Sequence, residues 1–203
     1  MNHELIKRIL SSIILLPVAL FFIISGSFYL IFFIIICFFI ASYEWHKMTK
    51  KMNYKFLGFI FLIFSFYTFY ETSKNEIWIF VFLICISTDI GGYFFGKIFK
   101  GPKLTKISPN KTYSGMIGGY LLSLILLSFY FNQEVSMYWF IVTILLSTVS
   151  QIGDIIISYF KRLSKIKNTG KILPGHGGLL DRIDGMIFAF PFFYFIEMTG
   201  CLI

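Results

Sequence analysis

Charge is scarce in this sequence, and acidic charge is the scarcest. The 203 residues carry 10 Asp and Glu against 18 Lys and Arg, charged residues make up only 14%, and the net charge is +8. A soluble domain of this length covers itself with roughly a quarter charged residues. With 57% hydrophobic residues and 27 phenylalanines, a water-exposed fold is excluded and an integral membrane protein remains. Cysteine is equally sparse. Cys37, Cys85 and Cys201 lie in or beside apolar runs without paired spacing, which excludes a disulfide framework or a cysteine metal module. Internal repeats, heptads and low-complexity tracts are lacking too, so neither a solenoid nor a coiled coil is indicated. The basic residues sit between apolar runs rather than along a groove, so a nucleic-acid partner is not expected.

What is present is a series of long apolar runs. About 20 apolar residues cover about 30 Å of hydrocarbon as a helix. Seven runs qualify, at about 9–25, 27–43, 55–72, 77–98, 115–132, 136–158 and 184–202. The expected fold is therefore an all-α polytopic membrane protein of about seven transmembrane helices, one integral membrane domain over residues 1–203. The basic flank of MNHELIKRIL lacks a small-residue cleavage site and reads as a retained anchor. Lys7 and Arg8 precede the first run, Lys47, Lys50, Lys51 and Lys55 follow the second, and Lys97, Lys100, Lys103, Lys106 and Lys111 follow the fourth. Six more basic residues follow the sixth, whereas Lys74 stands alone on the other side. The positive-inside rule then puts the N-terminus in the cytoplasm, the C-terminus outside and every long polar loop in the cytoplasm. Trp45, Trp78, Tyr43, Tyr138 and Trp139, near run ends, are expected as interfacial anchors.

The chain is organised around residues 158–185, SYFKRLSKIKNTGKILPGHGGLLDRIDG, the longest stretch that does not read as a simple membrane helix. It gathers Lys161, Arg162, Lys165, Lys167, Lys171 and Arg182 around a Pro-Gly-His-Gly-Gly turn and then places Asp181 and Asp184 three residues apart. Lysine and arginine neutralise phosphate oxygens, glycine amides can approach an anion, and carboxylates hold a divalent cation. A basic loop beside a span is in many membrane proteins only an anchor for acidic lipid. An anchor needs charge alone, not a glycine turn and paired aspartates.

Two further places carry polar chemistry. Asp89 lies inside an apolar run, followed by Gly91, Gly92 and Gly96. A carboxylate there costs at least about 2.5–3.5 kcal/mol on insertion scales, so it is expected to face a partner or a wet cavity. Its glycines permit either close helix packing or close approach of a ligand. Gln151 and Asp154 stand about one turn before Ser158 in the sixth run, so two acids from separate spans are expected to share one polar pocket. Between the fourth and fifth runs, Ser108-Pro109-Asn110-Lys111-Thr112 reads as a capped helix start whose amides favour phosphate.

The order of residues adds to this inventory. Ser158, Phe160-Lys161-Arg162, Lys167, Gly170, Leu173-Pro174, His176-Gly177-Gly178, Asp181-Arg182 and Asp184 resemble the signature of the phosphatidate cytidylyltransferase (CDP-diacylglycerol synthase) family, with Asn168 where that family usually has Asp. Asp89, Gly92-Tyr93, Gly96 and the Ser-Pro-Asn-Lys-Thr loop look like a second block of the same family. Together the blocks cover about residues 88–185. The resemblance implies the Mg²⁺-dependent reaction CTP + phosphatidate → CDP-diacylglycerol + diphosphate, a step of phospholipid biosynthesis, at the cytoplasmic side of the plasma (inner) membrane. It also implies a homodimer, and it leaves a second cation open. On this reading Asp154 and Asp184 are metal ligands and catalytic, with Asp181 a further metal carboxylate and Asp89 on the substrate side. Lys161 and Arg182 are catalytic phosphate-holding groups, joined by Arg162 and Lys167. His176, Gly177 and Gly178 form the anion turn, and Ser108, Lys111 and Thr112 complete the nucleotide side. Two alternatives stay open. A CTP-dependent lipid (polyprenol-type) kinase would share the pocket but transfer a different phosphoryl group, and an ion-coupled transporter would account for Asp89 and Asp154 alone.

Overall fold

The computed structural model describes residues 17–18, 21–22, 24–50, 52–75, 77–131, 135–173, 175 and 177–199. Among the described residues six helices are bounded: α1 (Ser27–Met48), α2 (Lys55–Thr72), α3 (Trp78–Phe99), α4 (Tyr113–Tyr130), α5 (Met137–Leu163) and α6 (Met186–Met198). No strand forms among the described residues; two isolated bridges, Lys103 with Thr112 and Leu173 with Gly177, pin the polar loops. An all-helical architecture is what hydrocarbon demands, because a helix satisfies its own amides and carbonyls. Residues 28–48 of α1 and the whole of α3, α4 and α5 are long and apolar enough to cross a membrane. The chain is a polytopic helical membrane protein. The 13 residues of α6 span about 20 Å at 1.5 Å per residue, short of the hydrocarbon thickness. Most of the expected span 9–25 and the N-terminal anchor lie outside the described residues.

The chain divides into two compact units, one of residues 1–70 and 160–183, the other of 71–159 and 184–203. The second unit holds a close helix pair, α3 with α4. Gly91, Gly115 and Gly118 are buried between α3 and α4. A methyl group on Gly115 would lie 2.6 Å from the Gly92 carbonyl, and one on Gly91 would strike the Gly118 carbonyl. Of the two uses left open for the glycines after Asp89, the fold takes helix packing. Small residues let the backbones touch, which replaces the hydrophobic driving force that lipid cannot supply. Polar bonds join α5 to this pair: the Thr88 hydroxyl donates to Ser147 Oγ at 2.9 Å, and Tyr120 and Thr148 hydroxyls lie 2.9 Å apart. Phe80 packs edge-on against Trp139, with ring centroids 5.3 Å apart.

In the first unit the C-terminal turn of α1 is the hub. The helix runs five residues beyond the expected boundary at 43, and this extra turn carries Glu44 and Trp45 into the interior. Trp45 is only 4% exposed. Its indole N–H donates to the Lys55 carbonyl at 3.0 Å, its ring covers Gly58, and Phe160 meets it edge-on at 5.0 Å. The expectation of an interfacial anchor is therefore corrected for Trp45: a missing side chain at Gly58 opens a slot that buries the ring. Tyr43, one position earlier, is exposed.

Candidate functional site

The organising stretch is not all loop. Residues 158–163 continue α5, so Ser158, Lys161 and Arg162 are helical. Asp154, Ser158 and Lys161 stand at i, i+4 and i+7, one face of a single helix. The Ser158 hydroxyl donates to Asp154 Oδ1 at 3.3 Å.

In the second unit the Ser-Pro-Asn-Lys-Thr loop comes to α5. Leu104 N–H donates to the Lys111 carbonyl at 2.8 Å, Lys111 N–H donates to Ser108 at 3.0 Å, and Thr112 caps α4 by accepting from Gly115 N–H at 3.1 Å. Tyr113 N–H is taken by the Pro102 carbonyl at 3.1 Å. At least two amides at this helix start are thus engaged within the protein, and the loop also carries the Lys111 ammonium. That ammonium forms an ion pair with Asp154, both side chains about one quarter exposed. Asp184 is brought to the same helix by two glycines. A methyl group on Gly153 would lie 2.9 Å from the Asp184 carbonyl and 2.6 Å from the Phe188 ring, and one on Gly185 would lie 3.0 Å from the Ser150 carbonyl. The Asp184 backbone therefore sits against the position next to Asp154. The residue is 7% exposed, and Oδ1 accepts from Gly185 N–H at 3.0 Å. Asp89 lies on the exposed side of α3, while Thr88 beside it faces inward to Ser147. Gln151 donates to the same Ser147 hydroxyl at 3.4 Å.

The first unit holds the basic loop. Lys161 is buried and its ammonium donates to Asp181 Oδ1 at 2.9 Å, both side chains 10% exposed. The other Asp181 oxygen accepts from Thr169 N–H at 2.8 Å and Gly178 N–H at 3.1 Å. Arg162, Lys167 and Arg182 are exposed, as are Lys165 and Lys171. His176 and Pro174 lie outside the described residues. One expectation needs correction. Gly177 and Gly178 do not turn their amides to an outside anion: Gly177 N–H donates to Leu173 at 3.2 Å, and Gly178 N–H goes to Asp181. Glycine is required for other reasons. Gly177 adopts φ +89°, and Gly178 is pressed against Thr169 and Glu44.

Glu44 was not singled out by its sequence context. It is 1% exposed, and its carboxylate accepts from the Thr169 hydroxyl at 2.8 Å, Leu179 N–H at 3.0 Å and Leu180 N–H at 2.9 Å. The signal was available: the desolvation argument that marks Asp89 applies equally to an acid at the end of an apolar run.

Among the described residues no three of His, Cys, Asp and Glu gather as a metal cage. Mg²⁺ does not need one, since it takes one or two carboxylates and completes its shell with water and substrate phosphate. Asp154 and Asp184, hard oxygen donors with Gly153 packed against the Asp184 carbonyl, fit that requirement. Asp181 already serves a lysine and two amides.

Comparison with known proteins agrees with the pattern of loops and acids. A model of the cytidylyltransferase family matches residues 6–75 and 51–199. A protein of Rickettsia felis named phosphatidate cytidylyltransferase is 36% identical over 217 aligned positions, covering 97% of this chain and 94% of that protein. One of the same name from Rickettsia bellii is 37% identical, covering 97% and 92%. Another from Staphylococcus aureus is 40% identical over 160 positions, covering 72% and 62%. These names give no support to a lipid kinase or a transporter. With the match running through the α1 hub, the Lys111 loop, Asp154 and the basic loop alike, the chain belongs to the cytidylyltransferase family.

Proposed function

We infer that this protein is a phosphatidate cytidylyltransferase, condensing CTP with phosphatidate to CDP-diacylglycerol and releasing diphosphate. Family membership over nearly the whole chain carries the reading. The chemistry suits the residues. A phosphate monoester has its second pKa near 6, so phosphatidate is largely dianionic at neutral pH and its oxygen attacks the α-phosphorus of CTP without a protein nucleophile. What remains is to hold two polyanions in line and neutralise the charge that builds on the leaving diphosphate.

Lys161, Arg162, Lys167 and Arg182 are assigned to phosphate oxygens, with Lys161 oriented by Asp181. Lys111, fixed by the Ser108–Thr112 turn, is assigned to the nucleotide, where phosphate would compete with Asp154 for its ammonium. Asp154 and Asp184 would hold Mg²⁺, which when bound supplies positive charge to the phosphates. Asp89 is assigned to the substrate side, and His176, Gly177 and Gly178 to the shape of the turn. The direct test incubates the purified full chain in detergent with labelled CTP, phosphatidate and Mg²⁺. With the label on the cytidine, CDP-diacylglycerol in the lipid extract, lost on chelation of Mg²⁺, is the expected result; label recovered in CMP alone, or in CDP beside a newly phosphorylated lipid, would overturn the reading.

The finer topology belongs to the same proposal: seven spans, N-terminus cytoplasmic, C-terminus outside, both basic loops in the cytoplasm of the inner membrane, and a homodimer as the resemblance implies. Lys103 and Lys165 are exposed and report on the two loops. In cysteine variants at these positions, a membrane-impermeant thiol reagent is expected to label neither in intact cells and both after permeabilisation. Labelling of either before permeabilisation would reverse the orientation.

A further inference from the structure

We propose that Glu44 is a positioning residue for phosphate binding, a buried carboxylate that fixes the spacing of the two limbs of the basic loop; the proposal rests on the activity inferred above. Part of what holds the loop in shape comes from outside it. The backbone of the loop pairs with itself reciprocally at Leu173 and Gly177, at 3.0 and 3.2 Å. Four other amides, those of Thr169, Gly178, Leu179 and Leu180, go to two carboxylates. Asp181 belongs to the loop, but Glu44 comes from α1, more than 120 positions away in sequence.

Glu44 grips both limbs at once. It accepts the Thr169 hydroxyl from the first limb and the Leu179 and Leu180 amides from the second. Lys167 lies two residues before the first grip and Arg182 two residues after the last, both exposed. The distance between two phosphate-binding cations is thereby set by a group that touches neither. Gly170 and Gly178 leave room for it, since a methyl group on Gly170 would lie 2.9 Å from Glu44 Cδ. A buried charge does not favour α1 as a membrane helix, and an apolar side chain would suit the helix better. The gain lies in the loop.

The experiment compares wild type, Glu44→Gln, Thr169→Ala and Thr169→Ser as full chains in detergent, with CTP kinetics and amide hydrogen exchange. Glutamine keeps the shape but turns one acceptor oxygen into a donor facing donors. The expected result is a rise in KM for CTP of about 10- to 100-fold, the size of losing hydrogen bonds to a charged acceptor, with kcat changed far less and with faster exchange at Leu179 and Leu180. Thr169→Ala should shift KM in the same direction by less, and Thr169→Ser should restore it. A lower thermal midpoint with KM per active molecule unchanged would make Glu44 merely structural and overturn the proposal. If Glu44→Gln does not accumulate, Thr169→Ala decides, and a KM equal to wild type overturns it. Wild type that makes no CDP-diacylglycerol would sink the activity reading instead, and the exchange contrast at Leu179 and Leu180 would still decide whether Glu44 holds the loop.

Discussion

Asparagine at position 184 is expected to leave a folded membrane protein with no measurable turnover. Asp184 is buried, and one of its oxygens accepts the neighbouring Gly185 N–H, which an asparagine carbonyl can also do. The close contact against Gly153 is made by the Asp184 backbone and is indifferent to the substitution. What asparagine lacks is the second anionic oxygen and the charge, the two properties a hard cation requires of its ligand. Loss of one electrostatic contact to developing charge lowers turnover on the order of 10²–10³-fold, and loss of a metal ligand exceeds that. Size exclusion in detergent and a thermal midpoint near wild type would establish folding, and steady-state assay over a Mg²⁺ series would establish the loss. Wild-type turnover in Asp184→Asn would remove Asp184 from the site and leave Asp154 without its assigned companion.

The second large effect is on folding rather than chemistry. Gly91→Leu is expected to prevent α3 and α4 from packing, so that little monodisperse protein is recovered, while Gly91→Ala should destabilise by about 1–3 kcal/mol, the range for overpacking. The estimate rests on what the new atom meets. At Gly91 the obstacle is the Gly118 backbone, which cannot rotate away as a side chain can, and Leu122 Cβ closes the other side at 3.0 Å. Thermal unfolding in detergent checks the alanine variant, and a midpoint equal to wild type would show that the pair is looser than described. Asp89, two residues earlier, makes this informative about function as well. Thr88 and Gly92 orient that turn of α3 toward the other helices of its unit, so the position of Asp89 depends on the same packing.

Much of this was legible in the residues because it is local. Hydrophobic runs report membrane helices directly, since lipid forces each backbone group to pair within its own segment. The ends of α2, α3 and α5's N-terminal side fall within a residue or so of the apolar runs, for that reason. The basic loop and its two aspartates were legible because charge that cannot enter hydrocarbon must serve another purpose. The capping role of Thr112 followed from a hydroxyl placed before an apolar run, as helix-end chemistry requires.

By itself, then, the sequence determined a polytopic helical protein with basic loops between its apolar runs, and tertiary structure decided which donors and acceptors are already committed within it. Glycine amides in the turn looked open to an anion, yet Asp181 and Leu173 take them, because no spacing rule says where an amide points once the chain folds back. Lys111 and Asp154 meet across more than 40 positions, and Glu44 reaches Thr169 across 125. Such pairs leave no periodic mark on either segment. They form because a carboxylate drawn partly or wholly out of water must find partners, and only the fold brings the Leu179 and Leu180 amides, rather than any others, to the end of α1.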